Sequence, residues 1–150
     1  SRAALTSVDF MPTFAELAGA SLPTNQPVDG RSFIKVLQGQ TALQDRAIFW
    51  HYPLYLAGSG YNKVLPVYGT DTLKWRAVPS TVIRKGDYKL IHYYEYDNYK
   101  LFNLRDDISE ENDLAQTMPE KAKQLHAELM AWVTATNAPV PSKPNPKFAP

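Results

Sequence analysis

The spacing of apolar residues changes along the chain, and each change marks an element. In the stretch SVDFMPTFAELAG, residues Val8, Met11, Phe14, Leu17 and Ala18 recur at three- and four-residue steps, which places one apolar stripe on a short helix. Ser7 or Asp9 is positioned to cap it, Pro12 falls in the first turn, and Gly19 fits the position after the last. The segment LPTNQPVDG then reads as loop, because its two prolines and Asp29-Gly30 break any regular ladder. RSFIKVLQG adds one helical turn stopped by Gly39.

From Arg46 the period shifts. RAIFWHY is rich in side chains that suit a pleated, half-buried surface and predicts a strand. Residues 53 to 79 are too irregular for one element, and a connection of that length inside a compact domain is usually functional or packed on a neighbour. The clearest β signal follows. Val82 to Arg84 and Asp87 to Tyr94 flank Lys85-Gly86, where glycine supplies the positive φ of a tight hairpin turn. A second turn at Asp97-Asn98 leads into YKLFNL, giving a three-stranded antiparallel meander to which RAIFWHY adds a fourth strand. A helix supplies the cover: Thr117 and Glu120 stand as a capping box around Pro119, and Ala122, Leu125, Leu129, Trp132 and Val133 form one stripe. The closing APVPSKPNPKFAP, with five prolines, cannot continue a helix and reads as an extended strap. The fold class is therefore α+β: a small antiparallel sheet of about four strands packed against a C-terminal helix.

Composition narrows the chemistry more than the fold. The chain has 150 residues, 16 basic and 15 acidic, with no long run of one sign, so nothing calls for a polyanionic partner such as a nucleic acid. No apolar run approaches the roughly 20 residues that span a bilayer, so no membrane partner is expected. There is no cysteine, which removes thiolate metal sites, disulfides and a cysteine nucleophile from these residues. The start, SRAALTSVDF, lacks an initiator Met and a basic-then-apolar leader, and reads as an internal cut.

Taken in order, VDFMPTFAELAGASLPTNQPVDGRSF, WHYP, PSTVIRKGDYKLI, KLFNLRDDISEENDLA and the closing Pro-Glu helix resemble the C-terminal portion of type I, formylglycine-dependent sulfatases of the alkaline-phosphatase superfamily. The resemblance covers nearly the whole chain. It implies that residues 1–45 are the end of an α/β catalytic domain, contributing its last helix, and that residues 46–150 are the C-terminal subdomain. If so, Met11, Phe14 and Leu17 have lost the sheet they cover and stand exposed or repacked. The resemblance also implies a formylglycine nucleophile in a C/S-x-P-x-R motif, a calcium ion held by acidic residues, a periplasmic or secreted location, and a missing N-terminal catalytic domain as the main partner. A sulfated sugar or other sulfate ester is the implied substrate. An anionic transition state needs such a cation and fixed positive charges around it. None of that set is present in these residues: no catalytic residue and no metal ligand is assigned to this chain, which should be inactive alone.

The remaining candidates are contacts to substrate. His51 follows a strand between two aromatics, and an imidazole there suits a hydrogen bond to a sulfate or a sugar hydroxyl. Lys74 and Arg76 bracket Trp75, a combination that can place a cation on a sulfate and an indole on a sugar face. Asp106, Asp107, Glu110, Glu111 and Asp113 lack the spacing and central glycine of a calcium loop and read as a solvated acidic turn. Asp97-Asn98 reads as turn chemistry. His92 and His126 fall on a sheet face and a helix flank with no evident partner. Tyr93, Tyr94, Tyr96 and Tyr99 read as cross-strand packing rather than a base-stacking platform. Two other functions fit the same residues: a non-catalytic module that binds anionic carbohydrate, and part of a phosphate or phosphonate ester hydrolase of the same superfamily.

Overall fold

In the computed structural model, the residues described are 3–57 and 75–143, and they fall into two compact units, Ser1–Ala47 and Ile48–Pro150. The first contains a 3-10 turn at Ser7–Asp9, helix α1 (Phe10–Leu17) and the single turn α2 (Ile34–Leu37). Gly19 and Gly39 take positive φ, +66° and +77°, just past the two helices, as their placement predicts.

The expected cap of α1 needs correction, whereas its apolar stripe is exposed, as expected. Asp9 holds the N-cap position of α1, but its side chain makes no capping hydrogen bond there. It is fully buried, and its carboxylate accepts the backbone N–H groups of Thr6 (2.8 Å) and Arg31 (2.9 Å) and the Arg46 guanidinium (2.7 Å). The Asp9 carbonyl accepts the Thr13 hydroxyl at 2.7 Å, and that hydroxyl oxygen accepts the Phe33 N–H at 3.0 Å. The side of α1 that is buried is Pro12 and Thr13, not the apolar stripe: Met11, Phe14 and Leu17 are 45%, 61% and 57% exposed. Gly30 lies so close to the 3-10 turn that a Cβ there would sit 1.9 Å from the Val8 carbonyl oxygen. Only glycine permits that approach, which lets Arg31 reach Asp9.

The second unit carries the sheet. Strands β1 (Ala47–Tyr52), β4 (Ser80–Lys85), β5 (Tyr88–Tyr93) and β6 (Asn98–Asn103) lie in the order β1-β4-β5-β6, while β2 (Leu56–Ala57) and β3 (Trp75–Ala77) form a separate antiparallel pair. The turns are where the sequence puts them, with Gly86 at φ +59° and Asp97 at +44°. Pairing runs Thr81↔His92, Ile83↔Leu90 and Lys85↔Tyr88, then Leu90↔Leu101 and His92↔Tyr99. Alternation therefore collects Thr81, Ile83, Leu90, His92, Tyr99 and Leu101 on one face. Helix α3 (Pro119–Ala135) covers that face with Ala122, Leu125, Leu129 and Val133. Ile83, Leu90, Leu101 and Leu129 are entirely buried, and burying each such side chain contributes about 1.5–3 kcal/mol. Trp132 is half-buried and stacks on Phe49 of β1, with centroids 4.8 Å apart and planes 3° apart. At the start of α3 the N-cap is Met118 and the predicted capping box does not form, because the Thr117 hydroxyl turns back to the Leu114 carbonyl at 3.3 Å. Among the described residues no helix is long and apolar enough to cross a membrane.

Candidate functional site

Where β1 and β4 lie side by side, His51 meets groups from β4 and from beyond α3. β1 projects Phe49 and His51 toward α3, since alternate residues share a face. The ring of His51 is held at both nitrogens: Nδ1 lies 2.8 Å from the Thr81 hydroxyl of β4, and Nε2 lies 2.9 Å from the Pro139 carbonyl oxygen beyond α3. The Thr81 hydroxyl also lies 2.6 Å from the Tyr94 hydroxyl. A carbonyl only accepts, so Nε2 carries the proton, and in the neutral ring Nδ1 accepts from Thr81. Thr81 then accepts from Tyr94. One directed chain, Tyr94 to Thr81 to His51 to Pro139, ties the β5–β6 turn, two strands and the proline strap together.

That chain fixes the segments leaving β1 and entering β4, which lead to β2 and from β3. In that pair Trp75 stands opposite Ala57 and Ala77 opposite Leu56. The backbones of Trp75 and Arg76 thus lie in β3, only a few residues before Thr81. Lys74 lies outside the described residues. Beside Tyr94, a cavity of about 140 Å³ is lined by Glu95, Pro141, Ser142 and Lys143.

The other two histidines find each other. His126 Nε2 of α3 lies 3.0 Å from His92 Nδ1 of β5, with the rings stacked at 5.0 Å. Burial pushes both imidazoles below the ordinary histidine range. The field of His126 adds to this for His92, while Asp97 opposes it for each. Tyr93, on the opposite face, has its phenol pushed up to about 12, by burial first and then by Glu110 and Asp113.

The acidic turn spends its oxygens on the protein itself. Asp107 accepts the backbone N–H groups of Glu111 (3.1 Å) and Asn112 (2.8 Å), Asp113 accepts those of Leu101 (3.1 Å) and Ala115 (2.9 Å), and Glu110 pairs with Lys89 at 2.6 Å. The hydrogen bonds from Asn112 and Glu111 hold the Asp107 carboxyl below its usual range. Among the described residues no group of three or more His, Asp or Glu is placed to hold a metal ion. The residues do not fit a calcium site, and a formylglycine precursor motif is absent from the sequence.

Sequence reasoning missed Thr81 and Tyr94 as partners of His51, and His92 as a partner of His126. The hairpin at Lys85-Gly86 already fixed Thr81 opposite His92, so strand parity alone could have placed Thr81 under the helix. The approach of α3 and of Pro139 could not be read that way.

The model of one family, N-sulphoglucosamine sulphohydrolase, C-terminal, matches residues 1–136. The chain belongs to this family. Among relatives of this sulphohydrolase C-terminal chain, a sulfatase from Formosa agariphila is 34% identical over 147 residues, covering 89% of this chain and 24% of that protein. An N-acetylglucosamine-6-O-sulfatase from Bacteroides thetaiotaomicron is 32% identical over 134 residues, covering 87% and 20%. Among solved structures, BT4656 in complex with its substrate D-glucosamine-2-N, 6-O-disulfate is 27% identical, with a TM-score of 0.52 over 85% of this chain and 23% of that one. The chain therefore spans no more than a quarter of the length of these relatives. The α+β architecture and the resemblance to the C-terminal portion of sulfatases both stand.

Proposed function

We propose that this chain is the C-terminal part of a sulfatase that hydrolyses sulfate esters of a sulfated carbohydrate. The observation that carries the reading is the match along nearly the whole chain to a sulfohydrolase C-terminal family, with an amino-sugar 6-O-sulfatase among its relatives. In this reading residues 1–45 end the catalytic domain, residues 46–150 form the C-terminal subdomain, and the exposed face of Phe10, Met11, Phe14 and Leu17 is covered by the rest of that domain. The nucleophile and calcium belong to residues outside this chain, and no step of the reaction is assigned to it.

The contribution of the chain is then to complete the fold and rim the substrate cleft. Lys74, Trp75 and Arg76 suit contact with a sulfated sugar, a cation on the sulfate and an indole on the ring. His51 reaches substrate only by giving up the Pro139 carbonyl, so its first role is to hold the segments that carry Trp75 and Arg76.

The test is sulfate release by the full-length protein from a panel of N- and O-sulfated amino sugars. It is paired with peptide mass spectrometry of any C/S-x-P-x-R motif for conversion to formylglycine, and with chelation and calcium re-addition. Sulfate release that needs the converted motif supports the reading. Glycan binding without turnover would replace it with a carbohydrate-binding module, and turnover of phosphate or phosphonate esters alone would place the protein elsewhere in the superfamily.

A further inference from the structure

We propose that His92 and His126 form an acid-sensitive latch that holds α3 and the strap behind it on the sheet while the pair shares one proton, and that releases them when both rings are protonated. The geometry is specific. His92 is only 4% exposed, and its Nδ1 meets His126 Nε2 at 3.0 Å, a separation that accommodates one hydrogen. A neutral pair, or a pair with one added proton, keeps an N–H···N bond across that gap. A second added proton puts N–H against N–H and two like charges on stacked rings, and the contact must open.

The surroundings offer little relief to that charge. Tyr99 of β6 stacks on His126 at 4.8 Å, and Tyr94 of the β5–β6 turn meets His92 edge-on at 4.8 Å. Asp97 of the same turn is 4.0 Å from His92 Nε2, but its side chain is 96% exposed and is screened by water. On α3 itself, Lys123 lies one turn before His126 and is neutralised by Glu120 at 3.0 Å. From β4 the facing group is the uncharged Thr81, whose hydroxyl already serves Tyr94 and His51. Elsewhere on the interface α3 is held by apolar side chains and by the exposed-edge pair Lys85–Glu128. The same Tyr94 that borders His92 donates into the chain ending at Pro139, so loosening the pair reaches the strap directly.

The sign follows from linkage. Burial favours the neutral rings, so the folded pair binds protons less readily than the unfolded chain. Its contribution is complete above about pH 6.5 and is lost as pH falls through the lowered values. Each tenfold fall in the proton affinity of a ring on closing corresponds to about a tenfold change in the ratio of closed to open forms.

The experiment is amide hydrogen exchange of the full-length protein between about pH 7.5 and pH 4.5, corrected for intrinsic rates, followed over α3 and residues 136–143. Exchange of imidazole C2 hydrogens, read by mass spectrometry, gives the titration of His92 and His126 individually. Opening of α3 that rises about tenfold or more on acidification, in step with the two imidazoles, is the expected result. In a His92→Phe, His126→Leu double variant the rise should fall below about twofold. Should that variant not fold, the imidazole titration and the wild-type exchange decide alone. A flat exchange profile, imidazoles that titrate at or above the ordinary value, or a double variant with the wild-type rise would each overturn the latch.

Discussion

The two units solve the same problem, holding a short chain in one shape, by different means. The second has an apolar sandwich: one face of a sheet meets one stripe of a helix, and Ile83, Leu90, Leu101 and Leu129 between them see no water. The first has almost no apolar interior. Its organising group is a buried carboxylate that gathers the N-terminal turn, the loop at Arg31 and the guanidinium of Arg46, itself only 8% exposed. Phe33 is buried, but Leu5, Phe10, Met11, Phe14, Leu17 and Leu37 face outward. On the proposed reading, the rest of the catalytic domain covers that outward face.

The strongest challenge to that contrast is to separate the units. Residues 48–143 alone should unfold cooperatively in urea, followed by far-ultraviolet circular dichroism, whereas residues 1–47 alone, which keep Arg46 with Asp9, should show no transition. A cooperative transition in the short piece would mean that its exposed face is no liability. Next in size are substitutions at the two centres, measured by urea unfolding of the full-length protein. Asp9→Ala strands the Arg46 guanidinium in a buried place and should cost about 3–5 kcal/mol. Leu129→Ala opens a cavity in the sandwich and should cost about 2–5 kcal/mol. Asp9→Ala should loosen the first unit and leave amide protection of β4 to β6 unchanged, while Leu129→Ala should do the reverse.

Acid should separate the units as well. Burial pushes the Asp9 carboxyl up, but the N–H groups of Arg31 and Thr6 and the Arg46 guanidinium outweigh it and hold the group below its ordinary value. Its contribution is therefore present above about pH 4 and lost only as pH falls through the lowered value, well below the window in which the histidine pair acts. Amide exchange should show the second unit loosening first on acidification, and the reverse order would contradict both assignments. The smallest effect belongs to Lys85→Met: the Lys85–Glu128 pair lies about one-third exposed on each side and should contribute less than about 1 kcal/mol.

Local chemistry made the second unit legible. A two-residue alternation, glycine at a turn that demands positive φ, and a helical stripe of Leu and Val each act over a few residues, so Lys85-Gly86, Asp97-Asn98 and the Leu125–Leu129 stripe could be placed from the chain itself. At α1 the spacing was right, the helix formed and its stripe stands exposed as expected, but the burial of Thr13 depends on Phe33, twenty residues away, and could not be read locally. At Thr117 the local rule lost to the backbone of the preceding turn. The candidate site was legible in part: His51 was singled out for its neighbours in sequence, yet its two partners come from β4 and from beyond α3.

The order of residues alone was enough to determine the main helices and the four-stranded sheet, where their turns fall, that no thiol chemistry is available, and the sulfatase likeness of the whole, while the short strands β2 and β3 fall in a stretch it left unread. Tertiary structure decided what the polar groups do. The Asp9 carboxylate became a buried anchor rather than a cap for α1, His51 a link at both nitrogens, and His92 and His126 a pair. A turn or a stripe is settled by the conformations open to neighbouring residues. A buried carboxylate or imidazole is settled only when distant segments arrive together and its hydrogen bonds must be found among them.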